Sequence, residues 1–170
     1  MFDGGPGGEP APPLDAWLVT DEHAELIAPI RVLARGLQVE PRMGDFAIDR
    51  VVVECHPVVH TNHPAAGYLV RSGHRIAVWA PEFFAFPAWA AGADLMFADA
   101  AGWNRPIRFA GGVGGHLDVL AVAAAARAFH IRRLVFAHIG RSTLRAIDGG
   151  NRPPFGEFAR DGQVFRLPES

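Results

Sequence analysis

The segment Leu117–Phe129, LDVLAVAAAARAF, gives way within a few residues to Leu134–Ala137, LVFA. The first is rich in alanine, the strongest helix former, and predicts a helix. The second is short and apolar at every position, and predicts a strand. A strand with no polar face has to be covered on both sides. Asp15–Val19 and Ala93–Ala98 (ADLMFA) are further short apolar segments of the same kind. A chain that alternates such strands with helices is expected to fold as a layered α/β sandwich.

Other elements fill in the frame. Pro29 suits the first position of a helix and Gly36 the position just past its end, with IRVLAR between them. Phe46–Glu54 is β-rich. Gly67–Arg71 and Arg75–Trp79 flank Ser72-Gly73 and predict a hairpin, and the tail EFARDGQVFRL predicts another around Asp161-Gly162. Gly4–Pro13 is rich in Gly and Pro and predicts loop. With 170 residues, no internal repeat and no linker, residues 1–170 are expected to form one domain.

Composition narrows the function. A formal net charge of -2 gives no global attraction to nucleic acid or to an anionic membrane surface. All 16 basic residues are Arg, so no lysine can serve as a base or form a Schiff base. The single Cys55 has no partner for an internal disulfide. The N-terminus MFDGGPGGEPAPP has no apolar signal core, and no run reaches about 18 apolar residues. A cytoplasmic protein with a small-molecule substrate, no nucleic-acid partner and no membrane partner is therefore expected.

Four of the eight histidines fall where an α/β scaffold places its chemistry, at strand ends and loops. They are His23, His60, His116 and His138. Each alone reads more simply as a hydrogen-bonded structural residue. The acidic residues Asp21, Glu22 and Glu25 alone read as a solvated turn before a helix. Gly111–Gly115 has neither phosphate-loop spacing nor a following Lys, and is expected to give the chain a flexible approach to His116.

Taken in order, the segments resemble the metallo-β-lactamase fold superfamily of metallohydrolases, in its ribonuclease Z-like and cyclic-phosphate phosphodiesterase branch. Phe2-Asp3-Gly4-Gly5-Pro6 resembles the early D-x-G-P pattern. LDAWLVTDEHAELI resembles the strand and loop that carry T-H-x-H-x-D-H. His60 followed by Gly67-Tyr68 resembles the next ligand histidine and its G-Y strand, with a spacing longer by about a residue. RIAVWAPE sits where the family has a strand ending in a bridging Asp. ADLMFADA ends in the acidic Asp99, Gly115-His116-Leu117-Asp118 resembles the H-x-D segment, and RRLVFAHI resembles the strand that ends in the last ligand histidine. The resemblance implies a four-layer αββα sandwich, here lacking its first edge strands, and a metal-dependent hydrolase.

The departures bear on the metal. The resemblance places Asp21, His23 and His60 at the first site. Two imidazoles and a carboxylate are a sound set for Zn²⁺ with a fourth position for water, and equally the facial set used by non-haem Fe(II). The second site would fall to Glu25, Leu26, the bridge and His138. Leu26 has no lone pair to donate, and the bridge position is Pro81, with Glu82 able to substitute only if the strand end shifts. At most one Zn per chain is expected, with Mn or Fe as the other candidates. His116 and Asp99 would handle proton transfer.

The leading expectation is thus a degenerate, at best mononuclear, hydrolase of a small ester or phosphodiester. The competing expectation is an inactive member of the fold serving as a binding or assembly module, which Leu26 and Pro81 favour. A tRNA-processing nuclease ranks third, since no basic RNA-binding extension is present. The missing sheet edge would leave backbone groups unpaired and points to a homodimer.

Overall fold

The structure is a computed structural model that describes residues 1–4, 8 and 10–167. Gly5 and Pro6 of the early motif lie outside the described residues.

Among the described residues, eleven strands and three α-helices follow one another as β1 (Trp17–Leu18), α1 (Ile27–Gly36), β2 (Pro41–Arg42), β3 (Phe46–Ile48), β4 (Val51–Pro57), β5 (Ala66–Ser72), β6 (Arg75–Ala80), β7 (Leu95–Ala100), β8 (Ile107–Arg108), β9 (Gly115–His116), α2 (Val119–Ala128), β10 (Leu134–Ile139), α3 (Arg141–Asp148) and β11 (Glu157–Phe158). Seven of the strands form one sheet in the order β11-β10-β7-β6-β5-β4-β3. Its β3–β6 half is antiparallel, and its β6–β7–β10–β11 half is parallel. A smaller parallel pair, β1 with β2, is extended by a bridge from Phe2 to Leu18.

Period-two alternation in the strands builds the layers. In β5 and β6, Leu69 and Val78 face the cluster containing Val119, Val122, Ala123 and Ala126 of α2. Their neighbours Tyr68 and Trp79 face the opposite way, toward Leu18 and Phe2. Trp17 and Val19 flank Leu18 and turn outward onto Ile27, Ile30 and Ala34 of α1. The order is therefore α2, large sheet, small sheet, α1: four layers. The alanine face of α2 lets the helix lie close on the sheet. The Tyr68 hydroxyl donates to the Val19 carbonyl at 2.6 Å and ties the two sheets together.

Several sequence expectations need correction. The β-rich Phe46–Glu54 forms two strands, β3 and the start of β4, joined around Asp49 at a left-handed φ of 50°. The β5–β6 hairpin turns at Gly73-His74, because Ser72 pairs with Arg75. The helix α1 starts before Pro29 and contains Gly36. The tail makes no hairpin: β11 pairs in parallel with β10, and after the turn closed by Gln163 N–H to the Arg160 carbonyl no strand returns among the described residues. No helix among the described residues is long and apolar enough to cross a membrane.

Candidate metal centre

A cavity of about 610 Å³ opens where the loop after β1, the loop after β4 and the carboxyl ends of β6 and β10 meet. Carboxyl ends of parallel strands are where open α/β sheets place their sites. Asp21, His23, Glu25, His60, His116 and His138 all line it. The remaining sequence-predicted site residue, Asp99, is fully buried in β7 behind His116.

Asp99 and His116 form a close pair. Nδ1 of His116 donates to Oδ2 of Asp99 at 2.8 Å. The same carboxylate accepts from the backbone N–H of Phe83 at 3.0 Å and of Ala101 at 2.9 Å. These bonds hold the Asp99 carboxyl group in place and fix the imidazole with its Nε2 free for the cavity. Burial alone would lower the His116 pKa. The Asp99 hydrogen bond and charge, with the charge of Glu82, outweigh it and leave the pKa raised.

His60 carries the most informative geometry. Its Nδ1 lies 3.0 Å from the Gly115 carbonyl, which can only accept, so Nδ1 holds the ring hydrogen. In the neutral ring Nε2 then presents a lone pair, and it faces Oε2 of Glu82 at 3.4 Å. Oε1 of Glu82 lies 3.1 Å from Nδ1 of His138. Glu82 thus spans His60 and His138. It reaches this place because β6 ends at Ala80 and Pro81 breaks the ladder. His138 itself sits at a left-handed φ of 49°, a conformation that costs a non-glycine residue energy and is held by its surroundings.

The backbone of His60 is clamped by the glycine-rich segment. Gly115 N–H donates to the His60 carbonyl at 2.8 Å, reciprocating the ring's bond to Gly115. A Cβ on Gly114, at φ +150°, would come within 2.1 Å of that carbonyl oxygen. The close approach requires glycine there.

Asp21 belongs to a second group. Its Oδ1 accepts from the His23 backbone N–H at 2.7 Å and lies 3.4 Å from Nδ1 of His63. The His23 and His63 rings stand 4.9 Å apart. His63 also lines the cavity; the signal for it in the sequence is the spacing His60-x-x-His63. Glu25 and Leu26 sit exposed at the cavity mouth, with Leu26 54% exposed.

Among the described residues no three His, Cys, Asp or Glu side chains gather tightly enough to hold a metal as they stand. The donors stand as pairs around one cavity. Donors about 2.0–2.2 Å from a tetrahedral Zn²⁺ are about 3.4 Å from each other. The His60–Glu82 and Asp21–His63 separations, both 3.4 Å, match that spacing. The chemistry and spacing of the donor pairs fit a divalent ion.

No family model and no curated protein matches the chain. Solved structures do. The metallo-β-lactamase fold protein YhfI from Bacillus subtilis superposes with a TM-score of 0.68, at 14% identity, over 90% of this chain and 78% of its own. A diphosphatase of the PhnP family gives 0.65 at 19% identity, over 91% and 72%. Zn²⁺-bound PqqB from Methylobacterium extorquens gives 0.63 at 14% identity, over 89% and 73%. The chain has the metallo-β-lactamase fold. This is the fold that the ordered motifs predict.

Proposed function

We propose that the protein is a metal-dependent hydrolase of a small ester or phosphodiester, with a divalent ion held in the cavity by His60, Glu82 and His138. The observation that carries the proposal is the span of Glu82 between the two imidazoles. Zn²⁺ suits two nitrogens and a carboxylate best, with Mn or Fe as the other candidates. The trio Asp21, His23 and His60 is less favoured, because the free nitrogen of His60 faces Glu82 and Asp21 faces His63. Zn²⁺-bound PqqB and the diphosphatase of the same fold support the choice of metal and of hydrolysis.

When bound, the ion would lower the pKa of a water and polarise the substrate oxygen. The chain's own residues do the rest. Asp99 fixes the tautomer of His116, so that Nε2 is the nitrogen offered to the substrate. There it can give a proton to the departing oxygen. The ring of His138 stacks on His116 at 5.1 Å, and that of His60 meets it edge-on at 4.8 Å, which restricts its rotation. Pro81, Leu26 and Ile30 form an apolar wall.

The test compares chelator-stripped protein with protein reloaded with Zn, Mn or Fe, using p-nitrophenyl butyrate and bis(p-nitrophenyl) phosphate. Turnover that requires metal and is lost in Glu82→Gln is expected. No turnover of either compound with any of the three metals would overturn the proposal.

A further inference from the structure

Resting on the hydrolase proposal, we infer that the cavity selects an uncharged carboxylic ester with an apolar acyl chain and disfavours phosphodiesters. The first ground is charge. Asp3, Asp21, Glu25 and Glu82 line the cavity, and no Arg is among its described lining residues. Lys is absent from the whole chain. Even with Asp3 set aside, because its oxygens are bonded to Thr20 and Trp79, a single divalent ion does not balance Asp21, Glu25 and Glu82, so an anionic phosphodiester meets net repulsion. Phosphate sites elsewhere are built from Arg, Lys or free backbone N–H groups. The nearby Arg108 is stacked on the Phe84 ring at 4.8 Å instead.

A helix end that favours an anion, the N-terminus of α1, opens beside the cavity. Its cap residue is Leu26, with no side-chain cap. Glu25 stands just before it, and Pro29 removes one of its free N–H groups. Of the N–H groups left at that end, that of Ile27 is already bonded to the Ala24 carbonyl.

The second ground is the wall. Leu26, Ile30, Pro81 and Ala137 present apolar surface to the cavity. Leu26 and Pro81 are the positions where the resemblance called for ligands. An apolar side chain on that wall gains from an alkyl chain and nothing from a phosphate oxygen. About 610 Å³ suits a small ligand of this kind.

The reaction balances without a further reactant. Water oxygen bonds to the acyl carbon, the bond from that carbon to the alkoxy oxygen breaks, and one proton of the water ends on the alcohol. The other is released as the acid ionises. The product carboxylate is anionic where the ester was neutral, so the acidic lining that admits the substrate helps to expel the product.

The experiment measures calorimetric binding of two non-hydrolysed probes of similar size to the zinc-loaded protein. They are dibutyl ketone, which is uncharged, and dibutyl phosphate. The ketone is expected to bind about tenfold or more tighter than the phosphate. Leu26→Arg, at an exposed position that tolerates charge, should reverse the preference. Equal or tighter binding of dibutyl phosphate by the unmodified protein would overturn the inference, and so would failure to bind the ketone. Turnover of p-nitrophenyl butyrate, followed on the same sample, separates the two claims. Turnover with a phosphate preference removes only this inference. A ketone preference without turnover removes the hydrolase proposal and leaves the ligand class of the cavity standing.

Discussion

Nε2 of His60 faces Oε2 of Glu82 across 3.4 Å, while the other ring nitrogen of His60 is committed to the Gly115 carbonyl. The pair is poised for a shared cation. Replacing Glu82 by Gln keeps the shape and removes the charge. Metal affinity should fall by more than the ~10–100-fold typical of outer partners of a metal site. A chelator-competition titration checks this, and unchanged affinity would take Glu82 out of the site.

Asp99 acts through His116. Asp99→Asn puts an N–H₂ group among three donors and leaves at least one of them unsatisfied in a fully buried place. A stability loss of about 1–3 kcal/mol is expected from denaturant unfolding. Catalytic turnover should drop by about 10²–10⁴-fold, as for loss of a positioned acid–base group. His116→Ala should lower turnover similarly and leaves Asp99 its two backbone donors, Phe83 and Ala101. The comparison of the two variants checks the assignment.

Gly114 presses on the backbone of His60. Gly114→Ala forces an alanine into a φ of +150° and a contact of 2.1 Å with a carbonyl oxygen. The strained conformation alone costs about 1–3 kcal/mol. Because His60 must move to relieve the contact, zinc binding should weaken as well. Gly112→Ala, which meets no atom within 4 Å but also has a positive φ, serves as control. It should lose stability without losing zinc affinity.

Asp3 gives a pH dependence whose sign is fixed. Its carboxylate accepts from Thr20 N–H at 2.7 Å, from the Thr20 hydroxyl at 2.9 Å and from the Trp79 indole N–H at 2.6 Å. Burial nevertheless raises its pKa, ahead of these opposing bonds, and the charge of Glu82 adds to the rise. The native state therefore holds the proton more tightly than the unfolded chain does. The linked stabilisation is complete below the unfolded value of about 3.9 and is lost as pH rises through the raised native value. Asp3→Asn points an amide N–H₂ at a donor and should destabilise by about 1–3 kcal/mol. The gap between the unmodified protein and the variant should be widest in acid and narrow toward neutral pH. Unfolding curves across that range check it, and a gap that widens with pH would contradict it.

The frame of the fold was legible in the sequence because its strands are apolar on both faces and its α2 is alanine-rich. These signals are local and strong. What was not legible depended on where a strand stops. Glu82 comes to lie between His60 and His138 only because β6 ends at Ala80 and Pro81 turns the chain, and no periodicity records that. His63 was hidden by a loop whose conformation decides which of its two histidines meets Asp21. The helix α3 is polar and short, so its buried Thr143 and Ala146 gave too little pattern. The tail misled because Asp161-Gly162 does make a turn, while β11 has already found its partner in β10.

The central claim is that this cavity holds a divalent ion through His60 and Glu82. Elemental analysis of zinc-reconstituted protein, set against His60→Ala prepared alongside, tests it most directly. The account predicts about one tightly held ion per chain in the unmodified protein and its loss in the variant. No zinc after reconstitution, or the same zinc content in both, would contradict it.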